Sequence, residues 1–292
     1  MYKIGVVGEG DYSSKIKSLS SNELFTIDFF IEQSSINDFI LNSDIVFITN
    51  CNNAFNYTDI AVRNGKHIFI ENIANFSSQE VEELIKTCNE GSIESCIHFQ
   101  ENRNPALESI KDNIKIPLFI ESHRLSTIKN VRYENDVVFE LMMQDIFIVL
   151  SIVKSEIKRI SATGIKVISD FKDIANARVE FTNGCIANFT ASRISLKDMN
   201  KMRIFQKDSY YSVDFIQQKT DLVSLHNQFE DNKELSVTSN TFNEKNILQI
   251  EINDFVNSIH LKQLPKVSME DGFKTLEVAN KILKKINSFG EE

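Results

Sequence analysis

Two glycines follow the first apolar run of the chain at a spacing that suits phosphate binding. Residues 3–7 lead into Gly8-Glu9-Gly10-Asp11-Tyr12-Ser13, in which Ser13 stands where a third glycine is usual. A glycine-rich turn between a strand and a helix lets backbone N–H groups approach a pyrophosphate at the helix start. The spacing predicts dinucleotide binding through Gly8, Gly10 and Ser13, or a turn of this shape that has lost its ligand.

Acidic residues near this turn bear on which dinucleotide would bind. Glu32 follows the second apolar run, where a carboxylate can accept a hydrogen bond from an adenosine ribose hydroxyl, which favours NAD without excluding NADP. Glu9 and Asp11 place two carboxylates in the phosphate loop, and one like charge at about 6 Å costs on the order of 1–3 kcal/mol. We expect this repulsion to weaken cofactor binding.

The composition excludes several functional classes. Lys and Arg total 32 against 41 Asp and Glu, a net charge of -9, so the chain lacks the basic surplus of a nucleic-acid-binding protein. The four cysteines form no CxxC pair, which argues against a disulfide framework and against a zinc site. No basic segment followed by an apolar run opens the sequence, and the most apolar helix carries acids. We expect a cytoplasmic protein with no metal and no membrane span.

The first 118 residues alternate short apolar runs with amphipathic segments. The runs are residues 3–7, 25–31, 44–49, 67–70 and 94–99. This alternation predicts a doubly wound parallel sheet with helices on both faces, as in a Rossmann domain. Two local signals support the helices: Ser77 and Glu80 form a capping box, and Gly65 ends the preceding helix.

Residues 119–292 have a different pattern, which predicts a second domain. A strand at 118–125 and a helix at 137–153 precede a hairpin (177–181 and 186–190) around Asn183-Gly184 and further strands at 202–206, 210–215 and 222–226. We expect a large, mostly antiparallel sheet, a solvated loop at 230–245 and two closing helices. Because one face of such a sheet needs a partner, we also expect a homodimer or homotetramer.

Several segments resemble successive landmarks of the Gfo/Idh/MocA oxidoreductase family. They are residues 44–50, 65–73, Arg103 with Pro105, and 267–272. Residues 119–125, 173–178, 183–193 and 202–206 resemble most the branch containing UDP-N-acetylglucosamine 3-dehydrogenases. The resemblance implies hydride transfer between a nicotinamide cofactor and a carbon of a sugar or nucleotide sugar, with Asn50 and Glu71 at the cofactor and the open sheet face at a subunit interface.

The residues that would carry the chemistry are where this sequence departs from the family. A Glu-Lys-Pro segment there reads Glu71-Asn72-Ile73 here, which removes the lysine that pairs with the sugar hydroxyl. An Asp-x-x-x-His-Asp segment reads Glu140-Leu141-Met142-Met143-Gln144-Asp145, so Gln144 stands for the histidine that takes the hydroxyl proton and Asp145 alone is kept. An amide is not a base at neutral pH, and losing a positioned base costs about 100- to 10,000-fold in rate.

Other residues are candidates for rebuilding the site. Glu140 lies one helical turn before Gln144, and a carboxyl in an apolar cleft can have a pKa suited to a general base; the alternative is a solvated glutamate on the helix surface. His123 is a second candidate base, or a strand histidine with ordinary partners. Arg124, Tyr133 and Arg193 lie in segments predicted to line the same cleft.

The sequence thus leaves two functions open. The first is a divergent NAD(P)-dependent oxidoreductase acting on a sugar or nucleotide sugar, motivated by Gly8, Gly10, Glu32 and Asp145. The second is a non-catalytic protein of the same fold that binds a nucleotide or nucleotide sugar or has a regulatory role. It is motivated by the departures at Glu9, Asp11, Ser13, Asn72 and Gln144.

Overall fold

The computed structural model describes residues 1–8, 11–19, 21–30, 35–49, 51, 53–128, 135–207, 209–229, 232–243 and 245–288. The chain divides into two compact units. One comprises residues 1–99 and 246–276, and the other comprises 100–245 and 277–292. The domain boundary that we place near residue 118 from the sequence remains a prediction.

The first unit is built on a parallel sheet with connecting helices. In chain order its elements are β1 (Tyr2–Val7), α1 (Asp11–Lys17), β2 (Phe25–Phe29), α2 (Ile36–Leu41), β3 (Ile45–Ile48), α3 (Ala54–Arg63), β4 (His67–Ile70), α4 (Ser78–Gly91) and β5 (Ser95–Ile97). The strand order in the described residues is β2-β1-β3-β4-β5, and every pair is parallel. Strands β3 and β4 are apolar almost throughout and nearly fully buried, as expected of a sheet covered on both faces.

Local sequence signals set the ends of these elements. The Ser77 side chain accepts from the Glu80 backbone N–H, and the Glu80 carboxylate accepts from the Ser77 N–H, so the predicted capping box is confirmed. Gly65 follows α3 with a φ of +71°, a conformation that glycine adopts without strain, and this confirms its predicted role.

The second unit is built on a larger sheet. Its elements begin with a 3₁₀ turn (Gln100–Arg103), α5 (Pro105–Lys111), β6 (Pro117–Thr127), a π-helical segment (Val138–Met142) and α6 (Met143–Val153). There follow β7 (Ile157–Ile165), β8 (Ile174–Phe181), β9 (Ile186–Ser195), β10 (Met199–Gln206), β11 (Ser209–Asp214), β12 (Lys219–Phe229) and β13 (Asn232–Thr241). Two more helices close the chain: α7 (Ile247–Leu261) belongs to the first unit, and α8 (Met269–Ser288) begins in the first unit and ends in the second.

This sheet has eight strands within the described residues, in the order β13-β12-β11-β10-β6-β9-β8-β7. The pair β6·β9 is parallel and the other pairs are antiparallel. The predicted hairpin is present as β8 and β9, with Gly184 at a φ of +89°. The fold class predicted from the sequence is therefore confirmed: a Rossmann-like parallel sheet and a second, mostly antiparallel sheet.

Three features differ from the sequence prediction. The prediction of a loop at 230–245 was wrong, because β13 occupies Asn232–Thr241 and pairs with β12 along its length. Its polar residues are those of an edge strand, which pairs on one side and faces water on the other. Strand β7 was not predicted and forms the opposite edge of the sheet. The predicted helix at 137–153 opens with the π-helical segment before α6 begins.

Candidate functional site

Gly8 lies at the carboxyl end of β1, between β2 and β3 in the sheet. The chain leaves β1 for β2 on one side and later returns to β3 on the other, and ligands of open α/β sheets bind at such a reversal. Gly8 has a φ of +108°, and a Cβ there would lie 2.4 Å from Thr49 Oγ1 and 3.1 Å from its carbonyl oxygen. Only glycine fits at this position without strain, as predicted for the first glycine of a phosphate loop.

The other predicted cofactor residues are placed only in part. Ser13 lies within α1 and is buried. Gly10, Glu32 and Asn50, like Tyr133, lie outside the described residues.

Glu71 and Asn72 follow β4 at the same edge of the parallel sheet. The Glu71 N–H donates to the Ile48 carbonyl at 2.9 Å. Burial raises the pKa of the nearby Cys51 thiol, a backbone hydrogen bond with Asn53 opposes the shift, and the negative charge of Glu71 adds to it. Asn72 Oδ1 accepts from the Ala74 N–H at 2.8 Å. The Asn72 side chain therefore closes the turn after β4, which is a task of a short polar turn residue.

The structure adds a buried pair to this edge that the sequence analysis missed. His98 follows β5, and its Nδ1 lies 2.6 Å from Glu251 Oε2 on α7. Both side chains are less than one-tenth exposed. The two residues are 153 positions apart, so no local sequence pattern predicts their contact, and only the folded structure shows it.

In the second unit, Asp145 is held in a buried ion pair. Arg124 Nη2 lies 2.7 Å from Asp145 Oδ1, and Arg124 Nη1 lies 3.3 Å from Glu101 Oε1. Asn200 Nδ2 donates to the same Glu101 oxygen at 2.7 Å. Burial alone would lower the pKa of Arg124, but the two carboxylates outweigh it and raise that pKa above its ordinary value. Asp145 thus serves as the counter-ion of a permanently charged guanidinium.

Gln144 lies directly before Asp145 in the first turn of α6. Its Oε1 is buried and makes no hydrogen bond within the described part of the chain. A buried carbonyl oxygen without a donor costs roughly 1–3 kcal/mol, so a ligand or water that donates to it is favoured. The amide can accept this hydrogen bond, but it cannot take the proton.

Glu140 is bound on both carboxylate oxygens. Arg193, whose side chain is fully buried, donates from Nη1 to Glu140 Oε2 at 2.9 Å, and the Asn135 N–H donates to Oε1 at 3.1 Å. Arg193 also donates to the Lys172 carbonyl at 2.8 Å. These contacts tie the π-helical segment to β9 and to the loop before β8, and they favour a structural role for Glu140 over that of a replacement base.

His123 does not share a sheet face with Arg124. In β6 the buried residues Ile120 and Ser122 alternate with half-buried ones, and side chains of adjacent strand residues point to opposite faces. Arg124 lies on the face of Ser122 and reaches Asp145 there, whereas His123 is opposite Lys201 and Thr190 on the other face. The structure therefore brings Asp145 and Arg124 together and leaves His123 apart from them.

Three functional features find no support in the described residues: a metal site, a reactive Cys185 thiolate and a membrane-crossing helix. Among the described residues, no group of three or more His, Cys, Asp or Glu side chains is arranged to hold a metal ion. Burial raises the pKa of Cys185 to about 11, although the Ile186 N–H opposes the shift, so this thiol stays protonated. In the same part of the chain, no helix combines the length and apolarity needed to cross a bilayer.

No family model matches the sequence. The chain is 28% identical over 173 residues to a UDP-N-acetylglucosamine 3-dehydrogenase of Acidithiobacillus ferrooxidans, which covers 59% of this chain and 55% of that relative. The chain thus aligns with little more than half the length of this curated relative.

Two solved structures share the fold over nearly the whole chain. A UDP-N-acetylglucosamine 3-dehydrogenase from Acidithiobacillus ferrooxidans has a TM-score of 0.90 at 22% identity and covers 100% of this chain and 99% of that chain. A levoglucosan dehydrogenase in complex with NADH has a TM-score of 0.80 at 14% identity, with coverages of 98% and 97%. At these identities the likeness establishes the fold, and the chain has the two-sheet fold of these dehydrogenases.

Proposed function

We propose that this protein is an NAD(H)-dependent oxidoreductase that acts on a CH–OH group of a sugar or nucleotide sugar. The observation that carries the proposal is Gly8, which has a positive φ and no room for a Cβ at the strand reversal of the parallel sheet, where the first glycine of a phosphate loop is expected. The sequence similarity to a UDP-N-acetylglucosamine 3-dehydrogenase supports the substrate class.

The residues present fit a dinucleotide at this turn. A Cβ at Gly8 would collide with Thr49, so glycine is required where the predicted phosphate loop leaves β1. Glycine at this position is typical of dinucleotide-binding turns. A bound nicotinamide would supply the hydride acceptor or donor. In the second unit, the unpaired Gln144 Oε1 is suited to accept a hydrogen bond from a substrate hydroxyl and so to orient it.

A second candidate function is non-catalytic binding of a nucleotide or nucleotide sugar. One observation favours it: Asp145 and Glu140 are both engaged in ion pairs, with Arg124 and Arg193, which gives each carboxylate a structural partner in place of a substrate hydroxyl. Gln144 would then bind a hydroxyl that never loses its proton. Both functions need a nucleotide at Gly8, and they differ in turnover.

The first experiment is a titration with NADH and NADPH followed by nicotinamide fluorescence. The chain contains no tryptophan, so the protein's own emission interferes little. We expect saturable binding at or below about 100 μM, equivalent to roughly 5.5 kcal/mol, and tighter binding of NADH than of NADPH. Gly8→Ala should weaken binding at least tenfold, whereas Gly65→Ala, also at a positive φ in this unit, should leave it unchanged. Failure to bind either cofactor at 1 mM would refute the proposal.

Turnover on a panel of UDP-sugars separates the two candidates. A rate that depends on NAD⁺ and a UDP-sugar together supports the oxidoreductase. Binding of both ligands without any change in nicotinamide absorbance supports the non-catalytic protein.

Two further proposals concern the state of the protein in the cell. All four cysteines are free, and burial raises the pKa of the Cys88 thiol to about 12, which fits a reducing cytoplasm. We also propose that the protein forms a homodimer or homotetramer through the large sheet.

A further inference from the structure

A basic cavity lies beside the edge strand β7 in the second unit. Its volume is about 370 Å³, and it is lined by Lys158, Arg159, Ile160, Ser161 and Lys285. None of these residues belongs to the predicted site. The cavity falls within the volume range of small-molecule pockets, and cationic residues of a strand and of a helix line it.

The positive charge of this cavity is not neutralised by the described residues. Among the described residues, Lys158, Arg159 and Lys285 form no ion pair, and Glu180, which lies opposite Arg159 on β8, is paired with Arg178. On α8, Lys281 lies one helical turn before Lys285 and is exposed, and Glu277 lies one turn before Lys281, so the carboxylate is next to Lys281 and not to Lys285. Concentrating cations in this way is unfavourable unless an anion offsets the repulsion.

Backbone irregularity places two of these cations side by side. The register of β7 against β8 shifts between Ile157 and Arg159, so Lys158 is an extra residue that faces no partner. A bulge of this kind redirects a side chain and is frequent at sheet edges near binding sites. Ser161 lies two residues beyond Arg159, on the same strand face, and its hydroxyl makes no hydrogen bond within the described residues. A guanidinium, two ammonium groups and a free hydroxyl are a donor set for phosphate oxygens.

Exposed lysines on an edge strand also have a simpler explanation, since they prevent other strands from pairing with that edge. That explanation accounts for Lys158, but not for Lys285, which comes from a helix. We propose that the cavity is a binding site for the phosphate groups of a small molecule, with Arg159, Lys158 and Lys285 as the cationic donors and Ser161 as a neutral one. The proposal does not depend on the proposed oxidoreductase activity.

The test is calorimetric titration of the full chain with inorganic pyrophosphate, which carries the phosphates without a nucleoside. We expect saturable binding of one pyrophosphate per chain that Arg159→Gln and Lys285→Gln each weaken about tenfold, the worth of one charge-assisted hydrogen bond. The control is Lys86→Gln, which removes the same charge from an exposed position on α4 and should leave binding unchanged. Each side chain is exposed, so thermal unfolding should show that all three variants fold.

Three outcomes would overturn the proposal: no saturable binding at 10 mM pyrophosphate, equal weakening by Lys86→Gln, or displacement of pyrophosphate by saturating NADH. The last would place the anion at the dinucleotide turn instead. If NADH fails to bind while pyrophosphate binds as described, the proposed oxidoreductase fails and the phosphate site stands.

Discussion

The Asp173 carboxylate couples the stability of the second unit to pH. Its oxygens accept hydrogen bonds from the backbone N–H groups of residues 167–169 and from the Ser169 hydroxyl, and Arg193 Nε lies 3.3 Å away. Burial works to raise the pKa of Asp173, but the hydrogen bonds from Ser169 and from the backbone outweigh it and lower the pKa to about 2.

We therefore predict an acid-dependent loss of stability that is smaller in Asp173→Asn, while the contribution of Asp221, whose pKa is lowered by hydrogen bonds from Ser239 and Lys219, remains. Because the folded pKa lies below the ordinary value of 3.8, the carboxylate stabilises the fold fully above about pH 4, and this contribution is lost as the pH falls toward 2. It amounts to about 2 kcal/mol. The free energy of unfolding in urea should be lower at pH 3 than at pH 7 in the wild type. The same difference should appear in Asp170→Asn, which alters an exposed neighbour. If Asp173→Asn shows the same difference in unfolding free energy between pH 7 and pH 3 as the wild type, Asp173 is not the source of this pH dependence.

Gln144 decides between the two proposed functions at the level of a single side chain. If the site is otherwise complete, Gln144→His supplies the missing base, and turnover of a UDP-sugar with NAD⁺ should rise by about 100-fold at pH 8. The control is Gln144→Asn, which offers an amide but no base. Activity that rises no more in the histidine variant than in the asparagine variant would favour the non-catalytic protein.

At the scale of the elements, the conformation at the end of β1 requires that Gly8 has no Cβ. Gly8 and Gly65 both have positive φ, but a Cβ at Gly8 meets Thr49 at 2.4 Å, while a Cβ at Gly65 has no atom within 4 Å. Gly65→Ala should cost about 1 kcal/mol of unfolding free energy for the left-handed conformation alone. Gly8→Ala should cost about 2 kcal/mol more because Thr49 must move. Equal losses in urea unfolding would show that the contact with Thr49 is unimportant.

The elements that the sequence predicts well are those with local causes. The capping box at Ser77, the helix end at Gly65 and the Asn183-Gly184 hairpin each depend on residues a few positions apart, and each is present. Strand β13 was missed because its own residues are polar enough for a loop and no Asn-Gly pair stands between it and β12, although the two strands pair across a short connection.

Partners that are distant in sequence also limit what can be predicted about the candidate site. The sequence identifies Glu140 and Asp145 as acids on one helix, but it cannot show that each has a buried arginine partner. Arg193 lies 53 residues from Glu140, and Arg124 lies 21 residues from Asp145. Whether a carboxylate acts as a base or as a counter-ion depends on such distant partners, so the type of residue alone does not assign its role.

At the scale of the whole molecule, the large sheet carries an apolar row that crosses six strands. Successive cross-strand partners are Val237, Val223, Tyr210, Phe205, Phe119 and Ile186. The rings of Phe205 and Tyr210 lie 5.0 Å apart. In contrast, the residues that alternate with this row, such as Ile120, Ile204 and Ala187, are buried on the opposite face. A continuous row of half-buried and exposed apolar side chains is typical of a surface that a second subunit covers.

We predict that the protein associates through this face. A second copy offers the same row, and an isologous contact would cover both rows at once. Light scattering at micromolar concentration should give at least twice the monomer mass of 33.5 kDa. Val237→Glu should shift the protein toward the monomer, because Val237 is 64% exposed and its substitution places a charge in the contact without disturbing the core. Leu264→Glu is the matched control, since Leu264 is 85% exposed and lies outside the sheet. A monomeric wild type, or dissociation by both variants alike, would exclude the row as the subunit contact.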